Sequence, residues 1–510
     1  MATPSEKLAQ SLEILQELQN ENGLAVIKAD ELSRTHKERL LANGFIEKVM
    51  KGWFIATRPD APNGDTTSWY TSFWNFAQVY LASRFDENWC LSPDQSLLLI
   101  VGNKTVPSQL LVRSPKARNK VTQLIHDTSI LDIRASLPNQ NDILVLEGVN
   151  IFSLESALIA VNADFFTRHA IDARACLAMV RGASSLLSKL LNGGHSVIAG
   201  RLAGAFRNIG NTRIADAIFK TMKSAGYDIR EEDPFAEKLP ENILGIRENS
   251  PYVSRIKLMW YQMRGEVINN FPKPKELPTD IQAYMREVEE HYVEDAYHSL
   301  SIEGYRVTPE LIERVRGGNW NPDGDKSDRE ARNAMAARGY YQAFQAVKES
   351  IRKILTGENA GEVADTDHGD WYRELFAPSV AVGLLKPADL AGYRNNQVYI
   401  KGSMHTPLNP EAVRDAIPAL FELLHSEDNA GVRAVLGHFI FVYIHPYMDG
   451  NGRIGRFLFN TMLASGGYSW TVIPVEQRDL YMAALEHASV DGDIQDFAKF
   501  LGTLVESTSK

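Results

Sequence analysis

The sequence predicts a multidomain protein with a mainly α-helical C-terminal half, preceded by a winged-helix-like segment and an α/β region. Three observations predict it. From about residue 275 the chain reads as helical, and two strongly apolar stretches, 435–444 and 457–463, flank one polar loop. Near the N-terminus, helical periodicity gives way to a hairpin pattern. Between these parts, an aromatic helical stretch is followed by short apolar runs bounded by turn residues.

Taken in order, residues 5–60 begin with Leu8, Leu12, Leu15 and Leu18 at helical spacing. Residues 33–41 read as a short helix, and 43–55 as two strands around a Lys51-Gly52 turn. Helices followed by such a hairpin suggest a winged helix over residues 1–62. Arg34, Lys37 and Arg39 on the helix, with Lys48 and Lys51 on the wing, form a face able to sit on DNA phosphates. Glu31, Glu38 and Glu47 are interleaved with them. Residues 63–235 start with aromatic helical material (Trp69, Tyr70, Phe73, Trp74, Phe76, Tyr80). Strand-like runs at 97–101 and 143–146 make an α/β unit, and 154–230 is helical. The stretch 113–120 is the most basic in the chain. A boundary is expected near 234–240, leaving residues 236–510 as the helical domain.

Composition sets the frame. With 510 residues, 44% hydrophobic and 23% charged, the chain reads as about three globular domains. A net charge of −10 argues against a protein that coats nucleic acid or acidic membranes as a whole. Two cysteines, Cys90 and Cys176, offer neither a disulfide framework nor a Cys-rich metal site. The N-terminus leads into a charged amphipathic helix rather than a signal sequence, and no 18-residue apolar stretch occurs. A soluble cytoplasmic protein without a membrane span is expected. His291, His298, His368, His438 and His487 lack metal-ligand spacing, which disfavours a zinc enzyme. The turn-rich loop 317–325 carries Asp323 and Asp325 but lacks the twelfth-position Glu of a calcium loop.

The polar loop is His445-Pro446-Tyr447-Met448-Asp449-Gly450-Asn451-Gly452-Arg453-Ile454-Gly455-Arg456. Gly450 and Gly452 allow positive φ and a close backbone approach to a ligand. A helix beginning near Arg453 would add free N–H groups and the positive end of its dipole. Arg453 and Arg456, three apart, would share a face and fork onto phosphate oxygens. Asp449 is the only acid in the loop, and Mg²⁺ on a nucleotide is typically held by one or two carboxylates plus phosphates. His445, at the end of the preceding helix, is placed to take a proton. Such a set suits transfer from a Mg²⁺-nucleotide to a hydroxyl; a capped helical turn with surface arginines is the bland alternative.

His-Pro-Tyr-x-Asp-Gly-Asn-Gly-Arg-x-x-Arg resembles the signature of Fic-domain proteins, which usually move AMP from ATP onto a protein hydroxyl. Tyr447 stands where the family usually has Phe. The resemblance implies His445 as general base, Asp449 as Mg²⁺ ligand, and Asn451 with Gly450 and Gly452 as the α-phosphate cradle. It also implies contacts from Arg453 to the β-phosphate and from Arg456 to the γ-phosphate. Residues 398–407 read independently as a strand, a Gly/Ser turn and a return, and resemble the family's flap (about 397–408), which pairs with the target segment. His405 in that segment belongs with the nucleotide-binding set, as does Tyr481, matching the tyrosine that lines the family's adenine pocket.

Ser299-Leu300-Ser301-Ile302-Glu303-Gly304 fits the family's inhibitory pattern, Ser/Thr-x-x-x-Glu-Gly, on a helix at about 290–304. Four-residue spacing puts Ser299 and Glu303 on one face, and Gly304 closes the helix. By resemblance, Glu303 would occupy Arg456 and turn the α-phosphate of bound ATP away from attack, or position a water that removes AMP. The layout of the N-terminal part is similar to the antitoxins of type IV abortive-infection systems. Two functions therefore compete. One is an AMP transferase acting on a protein Ser, Thr or Tyr and on itself, using ATP and Mg²⁺ and held down by Glu303. The other is a DNA-binding regulator, antitoxin-like, whose Fic part senses ATP. The target protein is unspecified, and homodimerisation is left open.

Overall fold

The computed structural model describes residues 3–22, 25–60, 65–238, 250–317 and 328–508. They fall into two compact units: the chain through Pro251 together with Tyr399–Thr406, and Tyr252–Val398 together with Pro407–Lys510. Residues 239–249, just past the expected boundary, lie outside the described residues, as does the candidate calcium loop from Gly318 onward.

The first unit opens with α1 (Pro4–Asn22), β1 (Val26–Lys28), α2 (Arg34–Ala42), β2 (Ile46–Met50) and β3 (Trp53–Ala56). The strands form an antiparallel sheet in the order β1-β3-β2, with the turn at Lys51-Gly52 where the sequence places it. Ser33 caps α2 by accepting the His36 N–H (3.3 Å). Arg39 is turned inward to Lys7 O (2.7 Å) and Ser11 Oγ (2.8 Å), tying α2 to α1.

Next comes α3 (Thr67–Phe85), whose Trp69, Phe73, Phe76 and Leu81 are fully buried. Val26, Val49 and Ile55 of the small sheet join this core. The strands β4 (Cys90–Leu91), β5 (Gln109–Ser114), β6 (Lys120–Gln123) and β7 (Ser129–Arg134) make a mixed sheet ordered β4-β5-β7-β6. A hairpin of β8 (Ile143–Leu146) and β9 (Val149–Phe152) follows. The basic stretch 113–120 connects β5 to β6, and Asp132 accepts the backbone N–H groups of Arg118 (2.7 Å) and Lys120 (3.3 Å) there.

One strand expectation fails. The run 97–101 lies mainly in helix α4 (Pro93–Ile100). Ser92 accepts the Gln95 N–H (3.2 Å) and Pro93 sits in the first turn, so capping decides what a short buried apolar run leaves ambiguous. Helices α5 (Leu154–Ala160), α6 (Phe165–Arg168), α7 (Ala170–Met179), α8 (Ser184–Gly193), α9 (Ser196–Asn208) and α10 (Thr212–Ser224) complete the unit. Both cysteines are buried, and neither forms a disulfide.

The hairpin expected at 397–408 is also corrected. No strand forms there; Lys401-Gly402 make a turn in which the Ser403 N–H donates to Ile400 O (3.1 Å). Two of the segment's main-chain bonds reach residues far away in sequence. Met404 O accepts the Val106 N–H (3.0 Å), and the Gly402 N–H donates to Thr67 Oγ1 (3.1 Å). Pro407 has no N–H for a return strand.

The second unit is helical. Its helices are α11 (Pro251–Asn270), α12 (Ile281–Glu290), α13 (Tyr292–Ile302), α14 (Pro309–Arg316), α15 (Asp328–Leu355), α16 (Ala360–Ala381), α17 (Pro410–Ser426), α18 (Ala430–Ile444), α19 (Asn451–Ala464), α20 (Arg478–Val490) and α21 (Gln495–Thr508). Helix α18 is apolar on nearly every side and almost wholly buried, as a central helix must be. Its N-terminal corner is pinned by Glu427, which accepts both forks of Arg264 (2.7 and 2.9 Å) and the Asn429 N–H (2.9 Å). Among the described residues, no helix is long and apolar enough to cross a membrane.

Candidate functional site

The polar loop joins α18 to α19, so its side chains are aimed by two buried helices. His445 ends α18 in the left-handed region (φ 55°), its N–H bonded to Phe441 O (3.0 Å). That turn brings Nδ1 back to Val442 O (3.1 Å). Since a carbonyl only accepts, the proton sits on Nδ1 and Nε2 keeps its lone pair. Burial pulls the imidazole pKa down to about 4, with the Val442 carbonyl acting the other way. The ring is therefore neutral at pH 7. Its folded pKa lies below the ordinary value, so the neutral base persists as pH falls below 6.5 and is lost only near 4. NMR of the His445 ring should show no titration between pH 8 and 5.5; a midpoint near 6.5 would contradict this burial.

Gly450 starts α19 at φ 83°, a conformation that disfavours other residues. The Asn451 side chain holds the loop closed. Its Oδ1 accepts the Tyr447 N–H (2.8 Å) and its Nδ2 donates to Tyr447 O (2.9 Å). Tyr447 is buried and stacked on Tyr372 at 3.9 Å. Asp449 is exposed; its Oδ1 accepts the Gly450 N–H (2.6 Å) and Arg453 Nη2 (3.1 Å). An exposed lone carboxylate beside a helix N-terminus fits an Mg²⁺ that arrives on phosphates. Among the described residues, no cluster of three or more His, Cys, Asp or Glu forms a cage of its own.

The expected inhibitory helix is α13, capped by Glu303 and closed by Gly304 at φ 85°. Arg456 donates from Nε to Ser299 Oγ (2.8 Å), and from Nη2 to Ser299 O (3.1 Å) and Glu303 Oε1 (2.7 Å). Burial acts to lower the Arg456 pKa, but Glu303 together with Tyr481 and Tyr340 more than offsets it, and the guanidinium stays charged. The Glu303 carboxylate lies against Gly452, where a Cβ would stand 2.3 Å from Oε1. Glycine is needed there for this close approach, so one residue serves both the loop and the carboxylate covering it.

Tyr481 is buried, its hydroxyl 2.8 Å from His438 Nε2. His438 is thus a core partner of Tyr481. His405, buried in the 399–406 segment, belongs to the first unit, its N–H bonded to Ser403 Oγ (3.0 Å). The second unit thus gathers His445, Asp449, Gly450, Asn451, Gly452, Arg453, Arg456, Ser299, Glu303 and Gly304 around the start of α19, with Tyr481 in the core of the same unit.

Sequence reasoning missed two contributors. Arg394, almost fully buried, donates to His445 O (2.7 Å), Asn396 O (3.0 Å), Ile444 O (3.5 Å) and Leu408 O, while its N–H donates to Pro446 O (2.9 Å). Burial brings its pKa down to about 10, so it remains a cation. A lone basic residue in an irregular segment gives no periodic signal. Arg394→Ala should cost about 3–5 kcal/mol, because several buried carbonyls lose their donor, and should disorder His445. A melting temperature within 2 °C of wild type would refute that role. The other contributor is Asp295, buried on α13 one turn before Ser299 and bonded to the Tyr340 hydroxyl (2.6 Å). Burial pushes its carboxyl up to about 6 while Tyr340 acts the other way. The spacing Asp295, Ser299, Glu303 marks one helix face and was the available signal.

Residues 368–463 match the Fic/DOC family. Protein adenylyltransferase Fic of Drosophila virilis is 30% identical over 230 residues, 44% of this chain and 44% of that protein. The Drosophila willistoni protein of the same name is 30% identical over 230 residues, 44% of this chain and 42% of that one. The chain spans less than half the length of these curated relatives. A solved fragment of Fic-1 from C. elegans aligns with 67% of this chain and 96% of that one, at 20% identity and a TM-score of 0.37.

Proposed function

From the Fic domain that residues 368–463 form, we propose that this chain is a protein adenylyltransferase. It moves AMP from ATP to a Ser, Thr or Tyr hydroxyl of a protein target, and to itself, and it rests in an inhibited state. The observation that carries the reading is the pairing of Arg456 with Ser299 and Glu303 beside a neutral His445.

In this reading the triphosphate lies over the N-terminus of α19, where the first amides, Gly452 and two arginines face one anion. Asp449 would hold Mg²⁺, which when bound supplies charge neutralisation at the phosphates. The target hydroxyl oxygen attacks the α-phosphorus, the bond to the bridging oxygen breaks, and pyrophosphate leaves. His445 Nε2 takes the hydroxyl proton while Nδ1 stays on Val442 O. Arg394 holds the carbonyls on either side of that ring in place. Glu303 on Arg456 takes the position the γ-phosphate needs, so the resting enzyme is held off until the carboxylate moves. Removal of AMP by a water held at Glu303 is the sister reaction of the same site.

The DNA-regulator reading has less support. Arg39 is engaged inside the first unit, and exposed Arg34 is paired with Glu38 (2.7 Å). Only Lys48 and Lys51 of the wing remain as an open basic pair.

The test is intact mass after incubation with Mg²⁺ and α-labelled ATP, for wild type, Glu303→Gly and Glu303→Gly/His445→Ala. A gain of one AMP in Glu303→Gly alone supports the reading. No gain in any of them would move removal of AMP and DNA binding to the front.

A further inference from the structure

The inhibitory turn does not end at Gly304. The Gly304 N–H donates to Ser301 O (3.0 Å) and the Tyr305 N–H to Leu300 O (3.1 Å), so the end of α13 fixes where Tyr305 leaves the helix. From there its ring lies against Arg453, with the guanidinium carbon 5.2 Å from the ring centroid. Phe376 of α16 supplies a second ring at 5.0 Å. Arg453 is almost fully buried, yet among the described residues its one side-chain hydrogen bond is to Asp449 (3.1 Å), and its Nε has no partner there. Two aromatic faces and one exposed carboxylate therefore set the orientation of a guanidinium that five donors could turn in several ways. An aromatic face holds a cation without occupying its N–H groups, which leaves them for an incoming anion.

We propose that Tyr305 is a positioning residue that orients Arg453 toward the polyphosphate of the nucleotide. This rests on the nucleotide reading given above and deepens it. The turn that carries Glu303 onto Arg456 also carries Tyr305 onto Arg453. One short segment thus touches both phosphate-binding arginines, blocking one and aligning the other.

The test measures Mg²⁺-ATP and AMP binding by calorimetry in the Glu303→Gly background, with Tyr305 kept or replaced in Tyr305→Phe and Tyr305→Ala. Tyr305→Ala should weaken Mg²⁺-ATP roughly 3- to 30-fold. AMP, which has no phosphate beyond the first, should change less than about twofold, and Tyr305→Phe should match the parent. Equal weakening of ATP and AMP, unchanged ATP binding in Tyr305→Ala, or a Phe variant as weak as Ala would each overturn the proposal. A Glu303→Gly parent that binds no Mg²⁺-ATP would instead overturn the nucleotide reading beneath it.

Discussion

Glu303→Gly is expected to raise self-modification by about 10- to 150-fold. A hydrogen bond between charged partners contributes roughly 1.5–3 kcal/mol, and 1.4 kcal/mol is tenfold in a population. Arg456 is almost fully buried, while the Glu303 side chain is about a quarter exposed (4% and 26%), which places the pair between the surface and interior cases. The same substitution removes the countercharge of a buried guanidinium. The variant should therefore be less stable than wild type without nucleotide, by about 1–3 kcal/mol, and recover with Mg²⁺-ATP. Labelling that stays at the wild-type level would remove Glu303 from the inhibitory role, whatever happens to stability.

His445→Ala in that background should lower transfer by about 10²- to 10⁴-fold, the usual contribution of a general base, with ATP affinity within about twofold. The backbone complicates this variant, since alanine in the left-handed region costs about 1–2 kcal/mol. Asparagine tolerates that region and offers no comparable base. His445→Asn should thus keep the melting temperature and lose the activity, separating chemistry from folding. Transfer at the parent rate in either variant would sink the assignment of His445 as base.

The polar loop between α18 and α19 was legible in the sequence because the chemistry proposed for it is written in residue identity. A histidine after an apolar helix, an acid, bracketing glycines and two arginines have few other uses together. Ser299 and Glu303 were legible through spacing. Arg394 was not, because its partners are main-chain carbonyls, which any sequence supplies. The role of Asn451 was half legible: its place in the loop was apparent, but its carboxamide closes on Tyr447. The run 97–101 was misread because length and hydrophobicity do not separate a buried strand from a buried helix, and Ser92-Pro93 decided it. The 397–408 segment was misread because no cross-strand ladder forms there, and Met404 O and the Gly402 N–H bond to Val106 and Thr67, far away in sequence.

Arg394 also has a consequence for how the molecule can change over time. Its guanidinium holds Asn396 O and Leu408 O together with the carbonyls of Ile444 and His445. The chain therefore departs on the 397–407 excursion and returns from it at one fixed socket, so the ends are pinned whatever lies between. Lengthening a loop with fixed ends costs only about 0.6 kcal/mol per doubling. The excursion can be exchanged, extended or redrafted by mutation while His445 stays in register, so this segment can diverge without disturbing the loop between α18 and α19.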